Sequence, residues 1–526
     1  MAYKVGVDRS QTMLLPETLE DYIGADHPVR FLDAFVEGLR LGKCGFARTQ
    51  PKETGRPPFA PGDLLKLYLW GYLNQIRTTR RLERECTRNL ELIWLMRKLQ
   101  PDFKTIADFR KDNAKAFKAV FRQFHLLCRD LGLFGRELVA IDGTKLKAVN
   151  NPARNYDGKK LRGLIARIDA KLQDFVQTLD REDSHEPATE AALNKDSAGA
   201  ETVREKIEIL RKRQSKYQEL LSEMEKSGTD EVSLTDCDSR RMHKVGVGYN
   251  GQIAVDDKHK LIVAQDVVNQ ATDHGQLAPM AEAAKGALEV ETLKVVADGG
   301  YYDNVIIAEC ETLGVETYVP RPRKGSAASN GRFDKTQFEY DATSDTYRCP
   351  QGMRLEKESE CLKRGEKHYI YSNAEACRRC LLKAKCTTDQ YRRIGRWHGE
   401  AALDRMHTRV EGAIGLIERR KALVEHPFGT IKCSMNQHAF LMRGLEKVRG
   451  EFSLSTLAYN IKRVLNIVGV EKLIEVLRER AALAKKALRR QLSAETDSLS
   501  LTELWWRTTI FPYKTLPQSS PSQSLD

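Results

Sequence analysis

No apolar run in the 526-residue chain approaches the ~18 residues that a membrane-spanning helix needs. The opening residues, "MAYKVGVDRSQTM", lack the apolar core of a secretory signal. No membrane role is expected, and a cytoplasmic location, close to the bacterial nucleoid, is expected instead. A disulfide framework is missing as well. Cys44, Cys86, Cys128, Cys237, Cys310 and Cys433 are scattered and read as small apolar residues. The remaining five of the eleven cysteines fall between residues 349 and 386. Negative charge is also in deficit: 73 Asp and Glu against 86 Lys and Arg leave a net +13. That balance favours a polyanionic partner, most often nucleic acid.

What is present reads as a large soluble protein of about two to four domains. Residues 1–130 are predicted to be helical and to bind DNA. After "RPPFAPGD", Asp63 is expected to cap a buried helix, "LLKLYLWGYLNQI". In "TTRRLERECTRNLELIWLM", Arg80, Arg84 and Arg88 recur every four residues, a basic helical face suited to phosphates or a DNA groove.

The texture changes at 131–320. "RELVAIDGTKLKAV" is strand-like, and two further strands, "HKVGVGYNGQIAVDD" and "HKLIVAQDVV", meet at a turn near Asp256–Lys260. "DHGQLAPMAEAAKGAL" reads as helix, "LKVVAD" as buried strand, "NVIIAECETLG" as helix and "VETYVP" as strand. The predicted order is β-β-β-α-β-α-β, with a final helix in 401–470. An insertion at 158–228 carries Leu161, Ile165, Ile168, Leu172, Phe175 and Leu179, then Val203, Ile207, Leu210, Tyr217, Leu221 and Met224, at helical spacing. It is predicted to be an antiparallel helical hairpin. A second insertion, 321–400, holds the cysteine cluster. Residues 471–526 read as a helical extension ending in the disordered composition "LPQSSPSQSLD".

Asp142 and Asp298 are each expected to end a short buried strand, and each is followed by glycine. A buried carboxylate is costly unless paired or metal-bound. On adjacent strands of one sheet, two such carboxylates can share hard divalent cations that serve phosphoryl transfer. A third acid from the last helix would complete the set, and Glu425 stands at that place in the chain.

With these residues in view, the sequence resembles insertion-sequence DDE transposases of the group with a Tyr-Arg-Glu-Lys signature. The motifs are "RPPFAPGDLLKLYLWGYL", "LVAIDGTKLKA", "VGYNGQIAVD", "VVADGGYYDN", "LVEHPFGTIK" and "FLMRGLEKVRGEFSLSTLAYNIKRV". The resemblance implies an α/β fold: a ribonuclease-H-like mixed-sheet catalytic core with a helical N-terminal domain, the helical hairpin and the Cys-rich insertion. It implies a catalytic, metal-binding triad of Asp142, Asp298 and Glu425, two Mg²⁺ or Mn²⁺ ions, cleavage of the element's ends and strand transfer into target DNA. The partners implied are double-stranded DNA, as terminal inverted repeats and target, and a second copy of the chain. Glu425 and Lys432 match the signature, whereas Lys421 stands at its arginine position, beside Arg420, and Glu418 at its tyrosine position. Lys432, Lys421 and Arg420 are expected to hold phosphates, and His426 to contact a phosphate or assist proton transfer. Asp273 and His274 are expected to support the site. The alternatives are a transposase-derived DNA-binding protein without activity, and a nuclease that cuts without joining.

Cys349, Cys377, Cys380 and Cys386 include a C-x2-C pair and are expected to hold a structural Zn²⁺, with Cys361 as an alternative ligand. Pro427 disfavours helical geometry at His426, so a helix start or bend is predicted at 425–428.

Overall fold

The computed structural model describes residues 18–50, 57–183, 190–228, 231–321, 331–363 and 365–498. The "LPQSSPSQSLD" tail lies outside these residues.

Six helices open the chain: α1 Pro28–Glu37, α2 Pro61–Leu73, α3 Thr79–Arg88, α4 Leu90–Leu95, α5 Phe103–Asp112 and α6 Ala114–Asp130. Helix α2 is buried along nearly its whole length, as its all-round apolar sequence dictates. It begins at Pro61 rather than after Asp63, because proline suits a first helical position where no N–H is needed. Asp63 is instead buried in the first turn, accepting from Arg97 Nη2 at 2.9 Å. Asn89 separates α3 from α4, its side chain accepting from the Glu91 and Leu92 amides.

Strand β1 (Leu138–Lys147) then starts a mixed sheet. The hairpin α7 (Gly158–Asp183) and α8 (Glu190–Ser227) follows, packed on itself through Leu161, Leu220 and Met224. It returns to β2 (Gly246–Asp256), β3 (Ile262–Val268), α9 (Leu277–Leu288), β4 (Leu293–Val296), α10 (Asn304–Thr312) and β5 (Val315–Tyr318). Across the sheet the strand order is β3-β2-β1-β4-β5. Strands β2 and β3 pair antiparallel, β2 pairs antiparallel with β1, and β1, β4 and β5 run parallel. Strand β1 continues five residues past Asp142, so that aspartate is mid-strand, opposite Ile253, not at a strand end. Only its β1–β4 pairing stops earlier, at Ala140 with Val296.

The cysteine-rich segment forms a second, antiparallel sheet: β6 Glu339–Asp341, β7 Thr346–Arg348, β8 Arg354–Lys363, β9 Glu366–Ser372 and β10 Arg393–Trp397. Its small core is Phe338, Tyr347, Leu355, Tyr371 and Ile394.

Four helices complete the described chain: α11 Glu400–Gly412, α12 Ile414–Gly429, α13 Leu445–Val468 and α14 Val470–Ser498. Helix α12 runs through Pro427, so no new helix starts at 425–428. Leu423, Val424 and Pro427 are all buried, and that packing offsets the lost backbone bond. The irregularity comes one turn later, as a π-helical segment, Thr430–Ser434. Helix α13 is buried on most of its surface and packs against α6, α2 and β3. Gly450 sets the α6 contact: a Cβ there would lie 2.5 Å from the Ala114 carbonyl oxygen. Among the described residues, no helix is long and apolar enough to cross a membrane.

Candidate active site

Asp142 and Asp298 are brought together by the parallel pairing of β1 and β4. Asp298 lies two residues beyond β4 and caps the turn Gly299–Tyr301, accepting from the Gly300 amide at 2.8 Å. Asp142 Oδ1 accepts from the Gly143 amide at 2.8 Å. Its Oδ2 lies 3.0 Å from Arg420 Nη1, a charge contact without hydrogen-bond alignment. Burial pushes the Asp142 carboxyl up to about 6. Arg420 and the Gly143 amide oppose that rise, while the Asp298 and Asp273 carboxylates add to it. The three aspartates therefore share one electrostatic environment.

Asp273 lies between β3 and α9. Its Oδ1 accepts from Asn250 Nδ2 at 2.7 Å, Gln252 Nε2 at 2.7 Å and Lys145 Nζ at 3.0 Å. Gly143 permits this approach, since a Cβ there would sit 2.4 Å from both Asp273 Oδ1 and Gln252 Nε2. His274 points elsewhere, its Nε2 2.8 Å from Asp303 Oδ2 at the start of α10.

Helix α12 packs on β1 and supplies Arg420, whose side chain is largely buried. Lys432, on the π-helical segment, is half-buried. Burial lowers its ammonium pKa, and Cys433 and Asp142 act against that shift, which places Lys432 within the field of Asp142. His426 is exposed, and its Nδ1 lies 3.0 Å from Tyr459 Oη. The Tyr459 hydroxyl donates to the Lys260 carbonyl at 2.7 Å, so His426 Nδ1 is the donor to the tyrosine oxygen.

Lys421 and Glu425 lie on the exposed side of α12. Glu425 forms no hydrogen bond or ion pair with any described residue. On α3, Arg80 is stacked 5.1 Å over Phe103, Arg88 is paired with Glu85, and Arg84 is exposed. Burial raises the Cys386 thiol, with Arg392 opposing and Cys377, Cys380 and Cys349 adding to the rise, so these four cysteines are neighbours. Cys361 lies on the exposed strand β8, opposite His368. Among the described residues, no three His, Cys, Asp or Glu side chains adopt a metal-holding arrangement.

Sequence reasoning gave Asp273 only a supporting place and missed Lys145, Asn250 and Gln252. Two polar residues spaced by two in "YNGQIAVD", on an otherwise apolar strand, were the available signal.

Two family models match the chain. Residues 17–112 match a "Transposase domain (DUF772)". Residues 348–465, which include Glu425 and the cysteine cluster, match a "Transposase DDE domain". Both matched segments are thus similar to transposase domains, the second to a DDE domain. No curated protein matches. A solved structure, "Cryo-EM structure of piggyBac transposase synaptic complex with hairpin DNA (SNHP)", aligns over 95% of this chain and 87% of that one, at 8% identity and a TM-score of 0.30.

Proposed function

We propose that the protein cuts the ends of an insertion sequence and joins them to target DNA, with Asp142, Asp298 and Glu425 as catalytic carboxylates in a ribonuclease-H-like core. The observation that carries this is the placement of Asp142 on β1 and of Asp298 in the turn just beyond the adjacent parallel strand β4, with Arg420 and Lys432 near Asp142. The strand order and directions agree with that core. Glu425 follows Arg420 by five residues on the helix that packs on β1. We assign 1–130 to DNA binding, 131–320 and 401–470 to the core, 158–228 to an inserted hairpin and 321–400 to a structural insertion. The DNA partners are the terminal repeats and the target, held by a homodimer.

The carboxylates suit hard divalent ions. They offer only oxygen donors, and Asp142 lies in the field of two other carboxylates with a guanidinium as counter-charge. Mg²⁺ or Mn²⁺, as two ions, would supply nucleophile activation and charge stabilisation at the leaving oxygen. Asp142 and Asp298 would hold these ions, with Glu425 as third ligand. Arg420, Lys432 and Lys421 bind and orient the phosphodiester. Arg84, and Arg80 and Arg88 in part, give α3 its cationic face for the duplex.

The test is incubation with the DNA flanking the gene and Mg²⁺ or Mn²⁺. Cuts at the element's termini and joined strand-transfer products are expected, both lost when the metal is chelated. Binding without cutting would favour an inactive DNA-binding descendant, and cutting without joined products a simple nuclease.

Cys349, Cys377, Cys380 and Cys386 offer the four thiols of a structural zinc site, which they would have to close around the ion, since no three of them are arranged as ligands in this structure. Binding would release their protons, as thiolates are the ligands. Metal analysis is expected to find about one zinc per chain, as a four-thiolate site holds one ion, and none in Cys377→Ser/Cys380→Ser. Metal-free wild type would remove this assignment.

A further inference from the structure

We propose that Asp273 is a positioning residue of the candidate active site, fixing the strand that carries Asp142 against the turn that carries Asp298. The inference rests on reading those two aspartates as metal ligands.

The linkage is continuous. Asp273 Oδ1 receives Lys145 and Asn250, from β1 and β2, and Gln252 from β2. Gln252 is fully buried, and its Oε1 accepts the Tyr301 hydroxyl. Tyr301, also fully buried, closes the turn that Asp298 caps. One carboxylate thus ties β1, β2 and the Asp298 turn together. Gly143, next to Asp142, leaves the space that this carboxylate fills. Buried polar groups specify geometry strongly when their bonds are made, because breaking one leaves a partner unsatisfied. Asp273 Oδ1 accepts from three donors, and through it the carboxylate holds those groups in place. Lys145 Nζ, 3.0 Å from Asp273 Oδ1, gives the network its own counter-charge.

The test is a titration of the full-length, DNA-free protein with Mn²⁺ alone, following free Mn²⁺ by electron paramagnetic resonance. Asp298→Asn serves as control and is expected to lose binding. Asp273→Asn is expected to weaken Mn²⁺ binding about tenfold, as loss of an outer-shell partner does, with the melting temperature held within a few degrees. The double variant Lys145→Gln/Asp273→Asn removes the ion pair without a net charge change and is expected to stay as weak. Wild-type affinity in Asp273→Asn overturns the proposal. So does recovery in the double variant, which would trace the loss to the bare Lys145 ammonium. If Asp273→Asn does not fold, Tyr301→Phe decides, with a roughly threefold loss expected from one missing link and unchanged affinity overturning the proposal. Normal binding by Asp298→Asn would instead remove the underlying site reading, and this inference with it.

Discussion

Glu425→Gln is expected to reduce cleavage of the element's ends on the order of a thousandfold, the loss seen when one group acting on transition-state charge is removed. Binding of the same DNA should stay within about threefold, because a carboxylate adds no attraction for phosphate. The variant is well suited to a clean answer. Glu425 is exposed and has no partner among the described residues, so glutamine in its place should alter stability by less than about 0.5 kcal/mol. Asp142→Asn would be less clear, since it also strips Arg420 of its counter-ion. Melting temperature, DNA binding and cleavage measured on one preparation make the check. Wild-type cleavage by Glu425→Gln would remove it from the triad and leave Asp142 and Asp298 needing another third ligand.

The strands of the mixed sheet were legible because each is a short apolar run bounded by turn residues. Their pairing followed once the helices were placed between them. The buried setting of Asp142 was legible but not its place in the strand: the polar residues after it, "GTKLK", hide that the strand continues, because Lys145 and Thr144 pair with Asn250 and Gly251 across β2. The second sheet was not legible. "RLEKESECLK" is charged at nearly every second or third position, and that strand is exposed along most of its length, so no apolar alternation marks it. Pro427 misled in the opposite direction. Local propensity argues for a break, but the buried face of Leu423, Val424 and Pro427 is a tertiary effect with no local trace. The Asp273 network was obscured for the same reason, since its members come from four separate segments.

Arg77→Met is expected to destabilise the protein by about 3–5 kcal/mol, the cost of stripping one partner from a buried ion pair. Arg77 leaves the turn between α2 and α3, and its Nη2 lies 2.6 Å from Glu451 Oε1 on α13. It also donates to the Asn436 carbonyl at 2.9 Å and the Ala439 carbonyl at 2.8 Å. Glu451 is fully buried and accepts in addition from the Leu441 amide at 2.9 Å and the Met442 amide at 2.9 Å. The pair thus joins the segment matched as a transposase domain to the end of the segment matched as a DDE domain. It also fixes the 436–442 loop, whose Ala439 pairs with Lys147 at the end of β1. Methionine fills much of the volume but leaves Glu451 charged and three of its neighbours' bonds disturbed. At roughly 2–4 °C per kcal/mol for a domain of moderate size, the melting temperature should fall by about 10 °C. Arg77→Met/Glu451→Leu should recover only part of the loss, because the Leu441 and Met442 amides then lack an acceptor. Thermal unfolding of the two single variants and the double variant gives the coupling energy directly. A cost below about 1 kcal/mol for Arg77→Met, the range of exposed pairs, would show that the contact does not hold the two segments together. Cleavage at a temperature where all variants remain folded then tests whether the loop's placement matters to β1, because a purely global effect would leave the rate there unchanged.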